Sequence, residues 1–260
     1  MALSLTNLVR KASDKPPRLV IYGKGGIGKT TLANEFPNPI FIQTEDGGGS
    51  LKLTSFTENP MTKFSEVEEA IELLYMQDHD FKTVVLDSIT KLEPIIWAET
   101  CRRHNWASIE DPGYGKGYVE ADAIWRYFFT ALASLREKGM TTVILGHEQV
   151  EMFSDPERED YSRYRLRLHK RAEAMAREEA DVVGFLTEVT MIKRDDKKPG
   201  LKTPKATGSG QRVLNLQPRP TFEAKNRFDM PAQILINPGE GYTAIAPYLP
   251  GHRVATAVAA

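Results

Sequence analysis

Three observations predict an α/β fold: a mostly parallel sheet with helices on both faces, extended toward the C-terminus by an antiparallel hairpin. Short apolar runs rich in Val, Ile and Leu alternate with helical patterns up to residue 188, the pattern of a parallel sheet buried on both sides. A glycine-rich turn joins the first of these runs to the first helix. Beyond 188, two strand-like segments, Val189–Lys193 and Arg212–Leu216, follow one another without a helix between them, which suits a hairpin.

The elements follow in order. Residues 1–17 form a polar lead-in, a candidate subunit contact, closed by Pro16-Pro17, which bars helix and sets an extended approach to the first strand. That strand is Arg18-Leu-Val-Ile-Tyr-Gly23, and a helix over 29–35 stops near Pro37. Pro39-Ile-Phe-Ile-Gln43 is a second buried strand. Ser65 and Glu68 have capping-box spacing for a helix running to about Gln77. Phe81–Asp87 is a third strand, Ile89–Arg103 a helix, 119–138 a long amphipathic helix, and Thr141–Gly146 a fourth strand. A Gly/Tyr-rich loop, Asp111–Tyr118, separates the two helices. Residues 150–170 alternate charge without strand signals; Lys170–Ala180 is helical and Asp181–Glu188 is a fifth strand. Arg194–Gln211, rich in Lys, Pro, Gly and Ser, is expected to be a mobile loop. The core therefore spans 18–247, with a tail over 248–260.

Composition narrows the class. With 260 residues, 41 % hydrophobic and 27 % charged, the chain can bury one sizeable core. A net charge of −1 gives no global basic field, so any nucleic-acid contact must come from local patches. The single cysteine, Cys101, excludes an intramolecular disulfide and fits a reducing cytoplasm. No apolar run approaches the roughly 18 residues of a membrane span, and no signal-peptide core opens the chain, so a cytoplasmic enzyme is expected. Cys101 and His104 have no second pair to complete a zinc site. Trp97, Trp106, Trp125, Phe128 and Phe129 read as core or subunit contacts.

The chemistry begins at Gly23, Lys24, Gly25, Gly26, Ile27, Gly28, Lys29, Thr30 and Thr31. The spacing Gly23-x4-Gly28-Lys29-Thr30 is that of a Walker A phosphate loop. Glycine lets the backbone curl round an anion with its N–H groups inward, and the following helix turns its positive end to the same place. Lys29 can reach the β- and γ-phosphates, and the Thr30 hydroxyl can ligate Mg²⁺. The implied ligands are ATP and Mg²⁺. Asp87 closes a buried strand, where an acid can hold Mg²⁺ or its water shell.

Asp87-Ser-Ile-x-x-Leu92, after Thr-Val-Val-Leu, resembles the Walker B region of the RecA family, whereas AAA-type ATPases usually carry Asp-Glu there. Together with Gly113-Tyr-Gly-Lys-Gly-Tyr118, Gly146-His147 and Lys225-Asn-Arg-Phe-Asp-Met-Pro231, it makes the chain resemble the compact phage-encoded RecA-like ATPases over about residues 18–230. The resemblance implies a RecA-like P-loop core and a catalytic glutamate at the end of the strand after the phosphate-loop helix, here Glu45. A carboxylate there can orient and partly deprotonate the attacking water; a solvated loop acid or a ribose contact is the alternative, and Asp46 competes. His147 or Gln149 would sense the γ-phosphate, with a capping histidine as the bland reading. Lys225 and Arg227 resemble the Lys-x-Arg finger that some hexameric RecA-like motors insert into a neighbour's site, or they are solvated strand charges.

The same resemblance implies single-stranded DNA as partner, a homo-oligomeric ring or filament, and a role in phage recombination or single-strand annealing, with a single-strand-binding protein or exonuclease as further partners. Candidate DNA contacts are Lys116, between two tyrosines; Arg163, Arg165 and Arg167 in a Tyr/Arg-rich segment; and Lys197 and Lys198 in the basic loop. Cations can neutralise phosphates and tyrosines can stack on bases, although Glu157, Glu159 and Asp160 dilute the second group. Two other functions stay open. Lys24 with Lys29 resembles the deviant Walker A of partition-type dimeric switches, though these usually carry Asp-x-Pro where this chain has Asp87-Ser-Ile. A replication helicase or loader ATPase is the third.

Overall fold

The computed structural model describes residues 14–155, 159–193 and 205–251, without the side chains of 190–193 and 205–209. Five parallel strands form its centre. They are β1 (Arg18–Gly23), β2 (Pro39–Gln43), β3 (Thr83–Asp87), β4 (Thr141–Phe153) and β6 (Val182–Lys193), with β5 (Tyr161–Leu166), β7 (Lys205–Asn215), β8 (Lys225–Asn226) and β9 (Gln233–Ile236) antiparallel to their neighbours. The sheet order is β2-β3-β4-β1-β6-β7-β9. The helices are α1 (Lys29–Asn34), α2 (Phe64–Met76), α3 (Ile89–His104), α4 (Lys116–Glu137), α5 (Lys170–Glu179) and α6 (Gly241–Ile245).

Strand alternation sorts the core into two layers. Val20 and Tyr22 of β1 pack with Ile40, Leu86 and Ile144 under α2–α5, where Trp125, Phe128 and Leu132 of α4 fill the space. Leu19 and Ile21 face the other way, with Phe41, Val85, Leu145 and Leu214, beneath α1 and α6. A fully buried side chain of this kind contributes about 1.5–3 kcal/mol, so both faces must be apolar, and the central strands read as continuous hydrophobic runs. The predicted α/β class with a C-terminal hairpin is the observed fold.

Several boundaries differ from expectation for identifiable reasons. The second helix starts at Phe64, because that ring is buried in the core. Its first turn is capped by Glu66, whose carboxylate accepts from the N–H groups of Thr62 and Lys63 at 2.8 and 3.0 Å, not by Ser65 with Glu68. The long helix begins at Lys116, three residues early. The stretch 150–170, expected without strand signals, holds the end of β4 and all of β5, and residues 148–153 pair antiparallel with 161–166 as the β4–β5 hairpin. Its inward positions are arginines in ion pairs, so no apolar alternation advertises it. Residues 205–211, expected in a mobile loop, belong to β7 despite their Gly and Ser content, and 205–208 pair with β6. Residues 194–204 of that loop, most of the lead-in and the end of the tail lie outside the described residues.

Candidate active site

The C-terminal ends of β1, β2, β3 and β4 converge on one edge of the sheet, the usual ligand crevice of such folds. Gly23 ends β1 between His147 of β4 and Leu186 of β6. Only glycine fits, since a Cβ would lie 2.3 Å from the Leu186 carbonyl oxygen. Ile27 is buried and pins the loop to the core, while Gly28, at φ 98°, makes the left-handed turn into α1. Lys29 is 6 % exposed and folds back, its Nζ donating to the carbonyls of Gly23 and Lys24 at 3.0 Å each. Burial lowers its pKa, and the charges of Asp87, Glu45 and Glu148 oppose that shift. Thr31 is half-buried on α1.

Thr30 donates through Oγ1 to Asp87 Oδ2 at 2.7 Å. Asp87 is buried, which raises its pKa, and the Thr30 bond offsets part of the rise. A hydroxyl and a carboxylate meeting at the foot of the phosphate loop are the hard oxygen donors Mg²⁺ takes. Gly47 lies against them: a Cβ there would be in van der Waals contact with Asp87 Oδ2 at 3.6 Å and Thr30 Oγ1 at 3.8 Å, a methyl-sized space that glycine leaves unfilled. Among the described residues no group of three His, Cys, Asp or Glu could hold a metal.

Glu45 is fixed through the neighbouring strand ends. Thr44 N–H donates to the Asp87 carbonyl at 2.8 Å, the Thr44 hydroxyl donates to the Ser88 carbonyl at 2.7 Å, and Ser88 N–H donates to that hydroxyl at 2.9 Å. So stapled, Ser88 Oγ donates to Glu45 Oε1, and His147 Nε2 lies 2.9 and 3.1 Å from the two carboxylate oxygens. Burial pushes the Glu45 carboxyl up, but the bonds from His147 and Ser88 outweigh it and hold the group below the ordinary range. Glu45 and Asp87 are thus driven in opposite directions, the separation that marks different roles for two carboxyls in one site. An acid held ionised orients water better than it takes its proton. Asp46, its competitor, is exposed.

His147 links this site to the hairpin. Its N–H donates to Thr90 Oγ1 at 3.0 Å, and its carbonyl accepts from Arg167 N–H at 2.8 Å. The imidazole therefore rests on Glu45, and any phosphate contact would come through that pair. Sequence reasoning missed Glu148, which follows it. Its carboxylate accepts from the Lys24 N–H of the phosphate loop; burial raises its pKa, and Lys29 and Lys24 oppose the rise. Nothing in the spacing distinguishes it from Glu151 further along the strand. Arg167 is exposed and its charge reaches Lys29.

The other predicted residues lie apart. Lys225 Nζ donates to the carbonyls of Arg177 and Glu178 at 2.6 and 3.1 Å, capping α5, and burial lowers its pKa. Arg227 pairs with Asp181 at 3.3 Å, beside Arg18 and Arg136. Both sit at the Arg18 end of β1, about 17 Å along the strand from Gly23. Arg163 is paired with Glu223 at 3.2 Å, and Arg165 with Glu151 and with Glu173 at 2.8 Å, each only about a fifth exposed. Lys116 is exposed at the start of α4, next to a fully exposed Tyr114. Lys197 and Lys198 lie outside the described residues.

A protein-family model described as an AAA domain matches residues 15–228, four-fifths of the chain, including the phosphate loop, Glu45, Asp87 and His147. The chain belongs to the AAA domain family. It is accordingly an AAA-type P-loop ATPase, and nucleotide binding is what membership implies. No curated protein matches the chain. Asp87-Ser88 takes the place of the Asp-Glu expected at this point of an AAA domain, and the cluster around Ser88 shows what the serine does instead: it holds Glu45. Among the described residues no helix is long and apolar enough to cross a membrane.

Proposed function

We propose that this AAA-domain protein is a RecA-like ATPase that hydrolyses ATP in response to single-stranded DNA and serves DNA recombination or annealing, as part of a ring or filament of identical subunits. One observation carries the reading: the Glu45–His147 pair, which ties the carboxylate beside the phosphate loop to the last residue of β4 in the parallel sheet, next to Glu148 where the antiparallel pairing with β5 starts. Whatever the β4–β5 hairpin binds can therefore move the catalytic acid.

In this reading Lys29 and the loop N–H groups hold the β- and γ-phosphates, and Glu45 orients a water for attack on the γ-phosphorus. The new P–O bond forms as the bond to the β,γ-bridging oxygen breaks, giving ADP and phosphate, which takes up the proton. Thr30 would hold Mg²⁺ with Asp87 supporting it, and the bound ion would supply neutralisation of phosphate charge. The hairpin displays Val150, Met152, Phe153 and Tyr164 to solvent, and Tyr114 beside Lys116 offers a second aromatic surface with a cation. Bases can stack on such surfaces without sequence preference. Lys225 and Arg227 are far from their own subunit's phosphate loop, as a finger acting on a neighbour must be.

ATP turnover against added single-stranded DNA at two salt concentrations tests the proposal. Stimulation that fades at high salt is expected, because contacts to phosphates release counterions. In the same assay His147→Ala should keep nucleotide binding and lose the response. Turnover indifferent to DNA would reject the reading and favour a partition-type switch, in which the exposed Lys24 acts across a dimer.

A further inference from the structure

Arg212 lies on β7, in the antiparallel part of the sheet, yet its guanidinium touches the phosphate loop. A Cβ built on Gly28 would come within 2.0 Å of Arg212 Nη1 and 3.3 Å of its Cζ. Gly28 is the last loop residue before Lys29. The arginine thus occupies the space that any side chain at that position would need. The register explains how it gets there. Leu186 of β6 stands beside Gly23, Glu188 two residues further overhangs the loop, and Arg212 is the partner of Glu188.

The strand is distorted at this point. The β6–β7 register shifts between Glu188 and Thr190, and Gly210, two residues before Arg212, has φ 71°. A bulge beside a site commonly re-aims one side chain, and here the side chain next to it is the one laid on the loop. The phosphate loop's inward N–H groups attract anions. A guanidinium, with its fork of donors, is suited to bind phosphate oxygens and does so in a fixed geometry.

We propose that Arg212 is a phosphate-binding residue supplied in cis, which contacts the polyphosphate of the bound nucleotide from the hairpin side while Lys29 contacts it from the loop. The assignment rests on a nucleotide occupying the phosphate loop. It is distinct from the finger proposed for Arg227, which would act on a neighbouring subunit.

The test is equilibrium binding of MgATP and of inorganic tripolyphosphate, measured by displacement of a fluorescent ATP analogue, with wild type, Arg212→Ala, Arg212→Lys and Lys29→Ala. Arg212→Ala should weaken both ligands about tenfold or more, the usual worth of a charge-assisted hydrogen bond. Arg212→Lys should recover part of the loss, and the ligand-free melting temperature should stay near that of wild type. Should Arg212→Ala fail to fold, Arg212→Gln and Arg212→Lys give the same comparison. Wild-type affinity in Arg212→Ala, or a loss for MgATP with none for tripolyphosphate, would overturn the assignment, the latter by moving the contact to base or ribose. If Lys29→Ala also bound like wild type, the fault would lie with nucleotide occupancy of the loop itself.

Discussion

Replacing Glu45 by Gln removes a charge at the centre of the site and almost nothing else. The side chain keeps its length, and one amide oxygen can still accept from Ser88 Oγ. What goes is the second acceptor, so the two-oxygen contact with His147 Nε2 at 2.9 and 3.1 Å becomes at most one bond. Glu45 is about a fifth exposed, and an exchanged hydrogen bond of this kind costs on the order of 1 kcal/mol. Folding should therefore survive. Catalysis should not, because an amide cannot accept a proton and orients water weakly; loss of a general base typically costs about 10²–10⁴-fold. The pKa of Glu45 is held low, so orientation dominates and the smaller end of that range, roughly a hundredfold, is expected. The assay is phosphate release at saturating MgATP alongside nucleotide affinity, where turnover falls and affinity stays within about threefold. Turnover within threefold of wild type would refute the assignment and return the role to exposed Asp46 or to a group from another subunit.

Two further predictions follow from parts of the fold away from the phosphate loop. Arg227→Ala removes an exposed partner of Asp181, which keeps Arg18 and Arg136; it should leave stability and nucleotide affinity nearly unchanged but lower turnover about tenfold or more if the residue serves a neighbour's site, and equal turnover sinks the finger. Glu93 is buried and pushed up to about 7 by desolvation, with the His169 N–H at 2.8 Å opposing the shift. Between the ordinary carboxyl pKa and about 7 the unfolded chain has lost this proton while the folded chain keeps it, so stability falls as pH rises through that window and then levels off. Glu93→Gln should flatten the decline and leave the variant more stable at pH 8, by at most about 3 kcal/mol, while Glu173, also near 7, preserves a remaining slope. Unfolding by urea at pH 5.5 and 8 measures both, and an unchanged slope contradicts the account.

Strands β1, β2 and β3 were legible because burial on both faces leaves no polar residue to break the apolar run. The β4–β5 hairpin was not, because its inward arginines Arg163 and Arg165 neutralise Glu223, Glu151 and Glu173, and ion-paired packing looks like a solvated face in one dimension. The lower half of β7 was hidden for a related reason. Gly, Ser and Lys carry no strand preference, and its pairing with β6 overrides that.

The sequence by itself determined the phosphate loop, with its strand before and helix after, since four residues at fixed spacing and their local backbone define that chemistry. It also placed Asp87 at a strand end and named Glu45 through a family resemblance. Only the tertiary structure decided how these parts meet. Thr30 against Asp87, Ser88 and His147 against Glu45, Glu148 on the loop and Arg212 over Gly28 are contacts between residues 43 to 184 positions apart, set by sheet order and register. Local sequence fixes the dihedrals of each segment, but a side chain's neighbours are fixed by which strand lies beside its own and how far the two have slid.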